Sequence, residues 1–75
     1  MTTRKCLADN LRRFRKENKI SREELAFNCS ISARQLSDIE NCKCNTTVDT
    51  LDKLSEGTEI SVSNLLKPID NNTKN

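Results

Sequence analysis

Leu7, Leu11 and Phe14 recur at i, i+4 and i+7, with Arg12, Arg13, Lys16 and Glu17 spread around the rest of the turn. That spacing predicts an amphipathic helix over residues 4–18. Two further helix starts follow closely. Ser21-Arg22-Glu23-Glu24 is a capping box, in which the Ser21 hydroxyl accepts from the backbone N–H three residues on and Glu24 reaches back. Ile20 and Leu25 form the hydrophobic staple around it. Ser32-Ala33-Arg34-Gln35 repeats the device, with Ile31 and Leu36 as staple. Starts this close predict a short helix over 22–28, a tight turn at Cys29-Ser30-Ile31 and a second helix over 33–41. Thr47 then caps a helix carrying Val48, Leu51 and Leu54, which Gly57 is expected to end or loosen. Ser61 caps a last short helix stapled by Ile60 and Leu65. Strand-type alternation occurs only at Ile60-Ser61-Val62, too short to carry a sheet, so the predicted class is all-α.

Eight Leu, five Ile, two Val and two Phe among 75 residues supply one core and no second. The expected division is a domain over 4–66 and a polar, frayed tail over 67–75. No apolar run approaches the ~18 residues of a membrane span. Met1-Thr2-Thr3-Arg4 does not open a signal peptide. The expected location is therefore the cytoplasm, without a membrane partner.

The chain has no His, which removes the imidazole base, Ser–His and Cys–His pairs and histidine metal ligands. Its one glycine, Gly57, rules out a Gly-rich phosphate loop. So small an interior leaves little room to shift the pKa of a carboxylate or a lysine. The expectation is a binding protein, neither an enzyme nor a cofactor carrier.

Charge sharpens this. Residues 1–37 hold nine Lys/Arg against four acids, whereas residues 38–75 hold four bases against seven acids. A net +2 chain is thus strongly basic in its front half, which suits a phosphate backbone. The plain alternative is a solvated helix face.

A short helix, a three-residue turn and a second helix make a helix-turn-helix. Leu25, Cys29, Ile31, Leu36 and Ile39 fall where its helices must bury side chains, and Ala26 where they cross. With Leu11-Arg12-Arg13-Phe14-Arg15, Leu36-Ser37-Asp38-Ile39-Glu40 and Leu51-Asp52-Lys53-Leu54 in this order, residues 7–66 resemble the phage-repressor and Cro class of helix-turn-helix proteins. The resemblance implies a five-helix bundle, lambda-repressor-like, whose third helix enters the DNA major groove. The sequence departs from the family at Arg22, usually Gln, at Ser30 and Cys42, usually Gly, and at Thr46, usually Pro. Left-handed backbone costs a non-Gly residue about 1 kcal/mol, so the turns at Ser30 and Cys42 are expected to be altered.

By the same resemblance, the base-reading positions are Ala33, Arg34 and Asp38. Arg34 has the fork to grip O6 and N7 of guanine, and Ala33 suits a thymine methyl. Asp38 either accepts from a cytosine N4 or pairs with Arg34, four residues before it. Arg22, Ser32, Gln35, Ser37, Asn41 and Lys43 are expected at the phosphate rim, Lys43 equally as a solvated loop lysine. Arg15 and Glu40 occupy positions that pair between the first and third helices. Phe27 falls on the side of its helix away from Ala26, either exposed or, as the favoured reading, partly covered by the bundle rather than a recognition residue.

Cys6, Cys29, Cys42 and Cys44 offer four thiolates, as many as zinc accepts, but without C-x-x-C spacing and with Cys29 needed in the core. Reduced structural thiols with no metal are the favoured reading, ahead of a zinc site or a redox pair at Cys42 and Cys44. The functional expectation is a sequence-specific, repressor-like regulator of transcription. Its partners are double-stranded DNA, as a two-fold operator, and a second copy, with a homodimer formed through Leu65, Leu66 and Ile69. The alternative is a protein-interaction module on the same fold, an antitoxin or accessory bundle.

Overall fold

The computed structural model describes residues 3–43 and 46–68. Among these are five helices, α1 (Thr3–Asn18), α2 (Arg22–Asn28), α3 (Ala33–Glu40), α4 (Val48–Thr58) and α5 (Val62–Leu65), and no strand. Four of the starts are capped as their sequences imply. Ser21, Ser32, Thr47 and Ser61 each accept from the backbone N–H three residues on, satisfying a donor the helix leaves open. The reverse half of the boxes is missing among the described residues. Glu24 stays exposed, and the Gln35 amide turns to the Thr50 hydroxyl at 3.4 Å.

Leu7 and Leu11 of α1, Leu25 and Cys29 around α2, Leu36 and Ile39 of α3, Leu54 and Leu65 form one buried cluster. Each fully buried Leu or Ile contributes about 1.5–3 kcal/mol. Ala26 sits within it where α2 meets α3. Phe14, Ile20, Ile31, Leu51 and Ile60 close its edges. Asn10 of α1 ties the far end down, donating to the carbonyls of Leu65 at 2.7 Å and Lys67 at 2.8 Å.

Three expectations are corrected. Gly57 does not end α4, which runs on to Thr58 and stops at Glu59 with φ 61°. It is there for space: a Cβ on Gly57 would stand 2.3 Å from the Cys29 Sγ and 2.8 Å from its Cα. Ser30 and Cys42 keep the left-handed turn despite their side chains, at φ 60° and 59°. The turns close with Schellman bonds, Ile31 N–H to the Ala26 carbonyl at 3.0 Å and Lys43 N–H to that of Asp38 at 2.8 Å. Those bonds and the burial of the flanking helices outweigh about 1 kcal/mol of strain per turn. Phe27 is not covered by the bundle; it is 83% exposed, because α2 packs through Leu25, Ala26 and Cys29 on its other side. Val48 is likewise exposed, at the first turn of α4. Residues 69–75, including Ile69, lie outside the described residues.

Candidate nucleic-acid interface

Helix α3 packs against α1 and α2 together. Burying Leu36, Ile39 and Glu40 on that side turns the opposite side of the helix outward. Arg34 stands exposed there, and among the described residues it has no ion-pair partner. The i, i+4 pair with Asp38 does not form, and Asp38 lies half-buried with no ion-pair partner among the described residues. Ala33 is only partly open. It is half-buried and packs on the core, leaving only part of its methyl facing out.

The rim residues divide. Ser32 spends its hydroxyl on the α3 cap, at 3.0 Å from the Gln35 N–H, and Gln35 is turned toward α4. Asn41 donates back to the Ser37 carbonyl at 2.8 Å, with the half-buried Ser37 hydroxyl 3.4 Å away. Lys43 is exposed just past the helix end and unpaired among the described residues. Arg34 and Lys43 thus flank the outward face as unneutralised cations, separated by the shorter polar side chains.

Beneath α3 lies the main electrostatic feature. Glu40 is 1% exposed, and its carboxylate receives a two-pronged Arg15 fork, Nε at 2.7 Å and a terminal nitrogen at 2.8 Å. That hydrogen bond with Glu40 raises the Arg15 pKa, against an opposing effect of burial. Removing one partner of such a pair costs about 3–5 kcal/mol, because the other is left buried and charged. Arg22 adds a second cation, its Nε 3.4 Å from the same carboxylate. Arg12 donates to the backbone carbonyl of Glu40, at the C-terminal end of α3 where cations are favoured.

The Arg12 and Arg22 contacts to Glu40 were not foreseen from the sequence, which gave Arg12 no partner around the turn of the first helix and gave Arg22 a phosphate. Both bridge elements far apart in the chain. The only signal was that Arg12 and Arg15 lie three residues apart on α1 and so can reach the same end of α3.

Cys6 and Cys29 are buried free thiols and Cys42 is half-buried, while Cys44 lies outside the described residues. Burial alone raises the Cys29 pKa. Among the described residues no three His, Cys, Asp or Glu side chains are grouped to hold a metal ion. Nor is any helix among them long and apolar enough to cross a membrane.

Residues 11–65 match the helix-turn-helix family. The uncharacterized HTH-type transcriptional regulator y4dJ of Sinorhizobium fredii is 33% identical over 70 residues, covering 93% of this chain and 91% of the relative. A crystal structure of the hypothetical transcription factor NHTF from Neisseria superposes with a TM-score of 0.86 at 29% identity, over 97% of this chain and 84% of that one. The capped α2–turn–α3 unit, the all-helical bundle around it and these similarities have one conclusion: the chain belongs to the Cro/C1-type helix-turn-helix family.

Proposed function

We propose that this protein is a sequence-specific, double-stranded DNA-binding regulator of transcription, repressor-like, cytoplasmic and acting by binding rather than catalysis. The observation that carries the reading is Arg34, exposed on the outward face of α3 without a neutralising partner among the described residues. A guanidinium left free there is available for a bidentate contact to guanine, worth about 1–3 kcal/mol of discrimination. Asp38 and the open part of Ala33 complete base reading. Arg22, Ser32, Gln35, Ser37, Asn41 and Lys43 set the register on phosphates. For Gln35 and Asn41 this requires release of their contacts to Thr50 and Ser37.

One reading helix touches too few base pairs to select a site in a genome, so the active form is a dimer on a two-fold operator. Leu65 is fully buried and unavailable for that contact. The half-buried Leu66, which lines a shallow cleft with Leu7 and Leu51, is the better-placed residue. Ile69 lies outside the described residues. The interaction-module alternative draws on Phe27, but the residues four and three positions before that exposed ring on α2 are Glu23 and Glu24, which are charged.

Site selection from random duplexes tests the reading, followed by titration of two variants. Arg34→Ala is expected to lose about 1–3 kcal/mol on the selected site and to relax preference at one position per half-site. Arg22→Ala is expected to weaken selected and random DNA alike. No enrichment of any duplex, or identical profiles for the two variants, would refute it.

A further inference from the structure

We propose that Glu40 is a positioning residue for a phosphate clamp formed by Arg22, coupling the ion pair beneath α3 to the grip on a phosphodiester oxyanion. The inference rests on the DNA-binding reading above and deepens it.

Three guanidinium groups converge on Glu40. Arg15 holds both carboxylate oxygens at 2.7 and 2.8 Å, which is already a complete two-pronged pair. Arg12 takes the backbone carbonyl. Arg22 then approaches a carboxylate whose charge Arg15 largely meets, from 3.4 Å and through Nε only. The other acids nearby do not balance it. Asp9 serves Lys5 at 3.4 Å and Arg12 at 3.8 Å, and Glu23, whose field reaches Arg15, makes no ion pair with Arg22. Among the described residues Arg22 therefore has no ion-pair partner of its own, only a share of Glu40, and part of its positive charge is surplus.

The geometry shows where that surplus points. The Arg22 side chain is 41% exposed, and its two terminal nitrogens have no partner among the described residues. With Nε–H directed at Glu40, the guanidinium is held on its inner side and its terminal fork remains open. A fork of this kind suits two phosphate oxygens. An unattached arginine loses rotamer freedom when it closes on a phosphate, whereas one already held by Glu40 has less to lose. Glu40 thus acts twice, orienting α3 through Arg15 and presenting Arg22.

The sign of one substitution separates positioning from bulk charge. Glu40→Gln raises the net charge by one, so long-range attraction alone predicts tighter DNA binding; positioning predicts weaker binding. Arg22→Ala, Glu40→Gln and the double variant are titrated with random-sequence duplex over a range of salt. Arg22→Ala is expected to weaken binding about tenfold and to lower the log–log salt slope by about 0.9. Glu40→Gln is expected to weaken it as well, with a smaller loss when Arg22 is already gone. An additive double variant, or tighter binding by Glu40→Gln, overturns the proposal.

Two measurements on protein with Glu40 intact cover the case in which Glu40→Gln does not fold. Inorganic phosphate is expected to raise Tm above chloride at equal ionic strength in the natural sequence and not in Arg22→Ala. By NMR, the Arg22 Nε–H is expected to exchange with water more slowly than that of Arg34. Equal exchange rates, or a phosphate effect that survives Arg22→Ala, overturn the clamp. A phosphate effect confined to Arg22 with no binding of any duplex supports the clamp and refutes the DNA-binding reading.

Discussion

Replacing Gly57 by alanine sets two opposed effects against each other at one atom. Gly57 lies inside α4, one residue before its end. In an exposed helix interior, Gly→Ala gains about 0.8–1 kcal/mol of helix propensity. Here the added Cβ would stand 2.3 Å from the Cys29 Sγ, 2.8 Å from its Cα and 2.9 Å from its backbone nitrogen. The sulfur can swing aside, but the Cα and nitrogen belong to the cap of α2 and cannot. Relief requires α4 to back away from α2 by several tenths of an ångström, loosening the packing around the buried Leu54. Overpacking of this kind costs about 1–3 kcal/mol, occasionally more. With backbone among the clashing atoms the upper part of that range applies, so the propensity gain is outweighed. The expected net loss of about 1–2 kcal/mol corresponds to a Tm roughly 4–16 °C lower for a domain of this size. Urea and thermal unfolding followed by far-UV circular dichroism measure it. Cys29→Ala in the same chain is expected to recover only the part due to the sulfur. A Gly57→Ala protein as stable as the parent, or more so, would refute the tight α2–α4 contact.

Ser30→Gly and Cys42→Gly relieve left-handed backbone at φ 60° and 59°. Each is expected to stabilise by up to about 1 kcal/mol, less the entropy a glycine adds to the unfolded chain. Unchanged or lower midpoints would mean that the turns are not strained. Burial holds the Cys29 thiol in its protonated form, so its folded pKa lies above the unfolded one. The stability this contributes is complete below the unfolded thiol pKa of about 8.5 and is lost as pH rises toward the folded value. Cys29→Ala is therefore expected to flatten the alkaline fall in stability, and native Cys29 to react with a thiol reagent far more slowly than Cys42. Equal labelling rates would overturn this.

Local chemistry was enough for the helices. Ser21, Ser32, Thr47 and Ser61 each satisfy a backbone donor three residues away, and the staples at Ile20 and Ile31 lie beside their caps, so such interactions can be read within a few positions. The same holds for the outward position of Arg34, which follows from helical period once Leu36 and Ile39 are assigned to the core. What the sequence by itself determined was therefore the all-helical class, the α2–turn–α3 motif and which face of α3 turns outward. Only the tertiary structure decided the rest. That Gly57 makes room for Cys29 depends on two helices far apart in the chain coming into contact. That Phe27 stays in solvent depends on which side of a seven-residue helix its neighbours cover. The gathering of Arg12, Arg15 and Arg22 on Glu40 depends on three helices meeting at one joint. No periodicity records which of several arginines will share a carboxylate, because that choice is made by distance in space and by the burial of Glu40.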